Sequence, residues 1–206
     1  VEHSITWALV EHPRTSCVAF TGSLEGGKAL NKLASQRPTP IPFHAEMGSL
    51  NPVFVLPHAL EGNGEDLAKA FVAAVNLFSG QMCTKPGLLV LIEGPGVEPL
   101  LEWIREAVNQ TESSRMLNQT VFENYNSITR ELASSLNLVG SNQEDPDESQ
   151  ERAFCQVFEI KGADFMKTRN LRTEAFGPSS IIVRCQDEDK FIKIARSMEG
   201  SLTGTI

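Results

Sequence analysis

Residues 16–35 run SCVAF TGS LEGGKALNKLAS, an apolar stretch, a short turn and a run of helix formers ending on Lys32 and its neighbours. The apolar stretch 16–20 has strand length and carries Val18 and Phe20, so it predicts a buried strand. Thr21-Gly22-Ser23 turns the chain, with Ser23 in the N-cap position of a helix over Leu24–Ser35. A strand that passes through a tight turn into a helix is the building unit of an α/β protein, and this unit decides the fold class.

Working outward, the same alternation recurs. The proline-rich 37–42 cannot be helical and leads into a short strand, Phe43–Met47, closed by Gly48. A second short run, 52–56, is cut by Pro57. Between 64 and 78 the apolar residues Leu67, Phe71, Val72, Ala74, Val75 and Phe78 recur at helical spacing and predict one strongly buried face. The strand Leu88–Ile92 is followed by helical patterns over Val97–Asn109 and 120–135. Strands are expected at 154–160 and Ser179–Cys185, then a helix over 187–198 and a last strand over 202–206. The stretch 140–152, with Glu144-Asp145-Pro146-Asp147-Glu148, is too polar for a core and reads as a solvated loop.

The chain has 206 residues, 41% of them hydrophobic and 21% charged, enough to bury a sizeable core. Eighteen Lys and Arg against 26 Asp and Glu leave a net charge of -8, the wrong sign for a phosphate backbone or an anionic lipid surface. Nucleic acid and membranes are therefore not expected partners, and the apolar runs are far too short to span a bilayer. These features predict a soluble, cytoplasmic protein. Cys17, Cys83, Cys155 and Cys185 lie far apart, which argues against a zinc knuckle or a disulfide scaffold. His3, His12, His44 and His58 show no metal-clamping spacing, so no metal is expected.

A few residues could carry chemistry. The Phe20–Gly27 region joins a strand to a helix, where backbone N–H groups can receive a phosphate, although Leu24 stands where a G-x-G-x-x-G pattern needs its second glycine. Glu46 sits in His44-Ala45-Glu46-Met47-Gly48-Ser49, and Cys83 in Gly80-Gln81-Met82-Cys83-Thr84-Lys85-Pro86-Gly87. Taken singly, a carboxylate at a strand end is usually solvated, and a lone cysteine after a helix is usually a small core residue. Glu174-Ala175-Phe176-Gly177-Pro178 reads singly as a turn entering the strand at Ser179, with Glu174 merely exposed.

Taken together, in this order, the motifs resemble the aldehyde dehydrogenase superfamily. The wording around Glu46, Cys83 and Ser23 looks most like the branch that holds 2-oxoglutarate semialdehyde dehydrogenases and NADP-dependent fatty aldehyde dehydrogenases. The resemblance implies an open, mainly parallel sheet with flanking helices. Residues 48–206 would form a catalytic domain truncated at its C-terminus, and 1–47 the C-terminal part of a Rossmann-like dinucleotide-binding domain.

It further implies that Cys83 attacks the aldehyde and passes through a hemithioacetal to a thioester. Glu46 would activate the water that releases the acid. Oxyanion donors would be the Cys83 backbone N–H and an asparagine upstream of Val1. Ser23 and Gly22 would lie at the cofactor phosphates, Met47 and Gly48 near the nicotinamide, Glu174 at the ribose hydroxyls, and Phe176 beside the nicotinamide. The implied cofactor is NADP or NAD, with NADP favoured.

Three departures accompany the match. Gly48-Ser49 stands where Gly-Gly is commoner, Ala175 replaces a bulkier aliphatic residue, and Glu46 and Cys83 are a few residues further apart than usual. Cys17, Cys155 and Cys185 match no motif and are expected as inert core residues within strands. The family length implies that this chain is a fragment, inactive alone, of a homodimeric or homotetrameric enzyme. Its substrate would be a small aldehyde, with 2-oxoglutarate semialdehyde leading and a long-chain fatty aldehyde as the alternative. Acyl transfer to coenzyme A or phosphate, and a non-catalytic binding module, are the other readings; the presence of both Cys83 and Glu46 weighs against them.

Overall fold

The computed structural model describes residues 3–142 and 151–206, and the chain divides into two compact units, Val1–Gly48 and Ser49–Ile206.

The first unit contains α1 (His3–Glu11), β1 (Val18–Gly22), α2 (Leu24–Ser35) and β2 (Phe43–Met47). β1 and β2 pair in parallel, with Thr21 opposite Glu46 and Gly22 opposite Met47. α2 starts where predicted because the Ser23 side chain accepts the Gly26 N–H at 3.2 Å, satisfying one of the helix's orphan donors. Its apolar face buries Leu30 and Ala34 against Val10, with Val18, Phe20 and Phe43 packed alongside. The expected strand at 16–20 is corrected in two ways. It begins at Val18 and runs to Gly22, and its side chains alternate between half-buried and exposed instead of lying in a core. Cys17 precedes the strand and is exposed, not an inert core residue.

The second unit runs β3 (Pro52–Val55), α3 (Gly64–Asn76), β4 (Leu88–Ile92), α4 (Val97–Asn109), β5 (Ser114–Arg115), α5 (Gln119–Ser135), β6 (Asn137–Ser141), β7 (Arg152–Ala153), β8 (Gln156–Lys161), α6 (Gly162–Lys167), β9 (Ser179–Cys185) and α7 (Glu188–Ser197). Five strands form an open sheet in the order β3-β4-β9-β8-β6, parallel except for β6 at one edge. β5 and β7 make a separate antiparallel pair.

Both faces of the sheet are covered, which is why β4 and β9 read as near-continuous apolar runs. Leu89, Leu91, Val157 and Ile182 pack against Val72, Val75, Leu100 and Ile104 from α3 and α4. Leu88, Val90, Phe158, Ile181 and Val183 pack on the other face with Phe165, Phe191 and Ile194. No helix among the described residues is long and apolar enough to cross a membrane.

The helix expected over 64–78 stops at Asn76, because Phe78 and Ser79 take left-handed backbone angles (φ 50° and 56°). Phe78 is therefore 71% exposed, and Ala74 is exposed as well, so neither belongs to the buried face. The strand expected over 202–206 reduces to one parallel bridge between Thr205 and Val53. Cys155 and Cys185 are buried, Cys155 just before β8 and Cys185 at the end of β9. Residues 143–150, including the acidic run expected as a solvated loop, lie outside the described residues, while Gly140 and Arg152 at the limits of that stretch belong to β6 and β7.

Candidate active site

The residues singled out from sequence fall into two groups. Gly22, Ser23, Glu46, Met47 and Gly48 belong to the first unit; Cys83, Glu174 and Phe176 belong to the second.

In the first unit the parallel register sets Glu46 and Met47 beside Thr21 and Gly22, where the two strands end. Glu46 is exposed. The Met47 side chain packs against α2: a Cβ added at Gly27 would stand 2.2 Å from the Met47 Sδ. Ser23 uses a lone pair for its cap, which leaves its O–H free to donate. The first N–H groups of α2 lack intrahelical acceptors, as at any helix start. Glu25 in that first turn is the one acidic residue that opposes an incoming anion there.

In the second unit Cys83 is exposed on the loop entering β4. Among the described residues no acceptor engages the Cys83 N–H, so a thiol and an unpaired donor stand together on one residue. The loop carrying them is fixed from below by Asn51, which is 1% exposed. Asn51 Nδ2 donates to Cys83 O at 2.8 Å and to Lys85 O at 2.9 Å. Asn51 Oδ1 accepts from Ser49 Oγ at 2.7 Å and from Thr203 N at 3.0 Å. Asn51 holds this position with a left-handed backbone (φ 47°), a conformation asparagine tolerates better than most residues. The Leu50 carbonyl adds a bond from Gly87 N at 2.8 Å.

The turn 174–178 meets the same loop. Ser49 N–H donates to Glu174 Oε2 at 3.2 Å, and partial burial raises the Glu174 carboxyl above its usual range. Glu174 is thus half-buried and hydrogen-bonded, unlike the exposed residue that the turn suggests when read singly. Phe176 shows 36% of its surface. Gly80, with φ 63°, has its backbone against that of Gly177: a Cβ on Gly80 would lie 2.2 Å from Gly177 C and O. Gly177 in turn has its open face against the Tyr125 ring, 2.2 Å from where a Cβ would be. Tyr125 Oη donates to Phe154 O at 2.6 Å and lies 3.2 Å from Pro178 O.

Lys85 completes the link. It is 2% exposed, and its Nζ donates to Ala175 O at 3.0 Å and Ser179 O at 2.8 Å. Burial pushes its pKa down to about 8, against the pull of the Glu174 carboxylate. Sequence reasoning missed the roles of Asn51 and Lys85, and marked Ser49 only as a departure from Gly-Gly. The available signal for Lys85 was a charge set two residues after the cysteine and directly before Pro86-Gly87 and an all-apolar strand.

Each unit, taken by itself, carries groups of a kind a dinucleotide could use. Glu174 Oε1 accepts no hydrogen bond among the described residues, so the carboxylate can take a ribose hydroxyl, and the Phe176 ring is open to packing. The α2 start offers N–H groups to a phosphate. Among the described residues no group of three or more His, Cys, Asp or Glu could hold a metal ion.

A family model described as "Aldehyde dehydrogenase family" matches residues 1–206, and the chain belongs to this family. It is 40% identical over 205 residues to an alpha-ketoglutaric semialdehyde dehydrogenase of Acinetobacter baylyi, covering 96% of this chain and 38% of the relative. It is 36% identical over 201 residues to alpha-ketoglutaric semialdehyde dehydrogenase 2 of Azospirillum brasilense, covering 97% of this chain and 38% of the relative. The chain thus spans well under half the length of both.

Among solved structures, a 1-pyrroline-5-carboxylate dehydrogenase from Thermus with bound NAD superposes with a TM-score of 0.82 at 23% identity, covering 99% of this chain and 40% of that one. At that identity the likeness shows the fold alone.

Proposed function

We propose that this chain is the thiol-bearing part of an NAD(P)-dependent aldehyde dehydrogenase that oxidises 2-oxoglutarate semialdehyde to 2-oxoglutarate. The observation that carries the reading is the Cys83 loop, where an exposed thiol and its own unengaged N–H are held rigid by Asn51. The identities of 40% and 36% to two alpha-ketoglutaric semialdehyde dehydrogenases support the choice of aldehyde.

In this reading the Cys83 thiolate adds to the aldehyde carbon, and the carbonyl oxygen becomes an oxyanion that accepts the Cys83 N–H. NADP or NAD, held at Glu174 and Phe176, would supply the hydride acceptor, with NADP favoured by the resemblance; once the carbon has lost its hydride, Cys83 carries the acyl group as a thioester. Glu46 takes a proton from water as the water oxygen attacks the thioester carbon. The carbon–sulfur bond breaks, the acid leaves, and the proton returns to sulfur. Glu174 receives the ribose hydroxyls and Phe176 packs beside the nicotinamide, with Met47 and Gly48 also near the nicotinamide and Gly22 and Ser23 at the cofactor phosphates. Residues 1–47 act as part of the dinucleotide-binding domain and 48–206 as the catalytic domain. A cytoplasmic homodimer or homotetramer is the assembly that belongs to this reading.

The test uses the complete gene product, with 2-oxoglutarate semialdehyde and a long-chain fatty aldehyde compared under NAD and NADP. The expected result is a higher kcat/KM for the semialdehyde. The Glu46→Gln variant is expected to keep a burst of about one reduced dinucleotide per site and then slow about 100-fold in steady turnover. Unchanged turnover removes Glu46 from its role, and preference for the fatty aldehyde overturns the substrate.

A further inference from the structure

Lys85 is an expensive residue to keep where it is. Burying an ammonium costs several kcal/mol unless fixed dipoles replace its water, and here the partners are two main-chain carbonyls instead of a bound carboxylate. Those carbonyls belong to Ala175 and Ser179, at either end of the segment that carries Phe176, Gly177 and Pro178. The Lys85 carbonyl is itself held by the Asn51 amide that also holds the Cys83 carbonyl. One side chain therefore ties the segment bearing Glu174 and Phe176 to the loop bearing the thiol, beside the point where Gly80 and Gly177 meet backbone to backbone.

We propose that Lys85 is a positioning residue for dinucleotide binding, gripping both ends of the 175–179 segment and so setting where Glu174 and Phe176 stand with respect to Cys83. The proposal rests on the dehydrogenase reading and deepens it. Lys85 touches neither cofactor nor substrate; it acts through Glu174 and Phe176. Its removal should loosen the ribose and nicotinamide contacts while leaving the thiol, which Asn51 holds separately, as reactive as before.

The charged and titratable groups that face the Lys85 ammonium are Glu174 and Cys155, and Cys155 in turn acts on Tyr125 behind it. Burial pushes the Cys155 thiol up to about 12 and the Tyr125 phenol well above its ordinary value. Neither changes charge between neutral pH and about pH 9.5, so over that range Lys85 is the group in the cluster that loses a proton.

The experiment measures NAD and NADP dissociation constants by calorimetry on the complete gene product, alongside the iodoacetamide labelling rate of Cys83 in the free protein. Lys85→Met is expected to weaken dinucleotide binding about tenfold or more and to raise the dinucleotide KM in step. The aldehyde KM and the labelling rate should change by less than about twofold. Combining it with Glu174→Gln should add little to the stronger single effect, because both act through one contact.

A dinucleotide constant unchanged within about twofold, additive double-variant losses, or a labelling rate that falls as far as binding does would each overturn the proposal. Should Lys85→Met fail to fold, the unsubstituted Lys85 decides in a Cys83→Ser background. Dinucleotide binding is expected to weaken as pH rises through about 8, and a flat profile from about pH 7 to 9.5 overturns the role. Absence of any dinucleotide binding by the unsubstituted protein overturns the dehydrogenase reading and this proposal with it, whereas binding that ignores Lys85 overturns this proposal alone.

Discussion

The two units place their candidate residues at opposite ends of their strands. In the first, Gly22, Ser23, Glu46 and Met47 stand where β1 and β2 finish, the carboxyl ends at which open α/β sheets ordinarily bind ligands. In the second, Asn51, the 80–87 loop and the 174–178 turn stand where β3, β4 and β9 begin.

The difference has a physical cause. A strand that runs into a helix delivers free N–H groups at the helix start, so a polar site forms from backbone alone. Loops arriving at strand starts come from helix ends and carry bare carbonyls instead. Side-chain donors must be brought to them, and Asn51 and Lys85 do this for Cys83, Lys85, Ala175 and Ser179. The carboxyl-end group is built by secondary structure and the amino-end group by buried side chains.

The contrast makes unequal demands on stability, and the largest test is Asn51→Ala. It leaves one buried and one part-buried carbonyl without their donor, removes the acceptor of Ser49 Oγ and Thr203 N, and forces alanine into a left-handed backbone. A loss of about 3 kcal/mol or more in urea unfolding is expected, with slower and less selective Cys83 alkylation. A loss under about 1 kcal/mol would mean that the loop holds itself without side-chain help.

A pH titration of stability comes next in size. The Cys155 and Cys185 thiols are fully buried and both are pushed up to about 12, from 9.0 in an exposed thiol. Their folded values are raised, so the stability they contribute is complete below about pH 9 and is lost as pH rises toward 12. Lys85, lowered to about 8 from 10.5, works in the opposite direction and adds stability as pH climbs between those values. The two thiols outweigh the one amine, so the urea midpoint is expected to fall above about pH 10. Replacing both cysteines by alanine should flatten the fall, and a fall that survives the double replacement would assign it to other groups.

The smallest effect belongs to the carboxyl-end group. Ser23→Ala removes one cap bond from α2 and is expected to cost about 1 kcal/mol, read from the first unit's helical signal on heating. Should it cost as much as Asn51→Ala, the distinction between the two ends would collapse.

Legibility followed the same division. α2, β2, β4, α4 and β9 were readable to the residue, because caps, prolines and apolar period all act within a few residues of one another. α3 was read too long: the apolar spacing carries on to Phe78, whereas the backbone turns left-handed at Phe78 and Ser79, just before Gly80 packs on Gly177. The antiparallel edge strand β6, Asn137–Ser141, escaped notice because its sequence is mixed and polar. Cys83, Glu46 and Glu174 were marked by motif. Asn51 and Lys85 were not, since the carbonyls they hold lie 32 to 94 residues away and side-chain type alone carries no trace of such pairings.

The Gly80–Gly177 contact has a practical meaning for anyone recombining this family. With no room between two main chains, neither loop can take a different course without shifting its partner. A crossover anywhere between them in a chimeric gene would mate halves cut to different patterns, whereas exchanging the three segments 49–51, 80–87 and 174–179 as a single cassette preserves the fit.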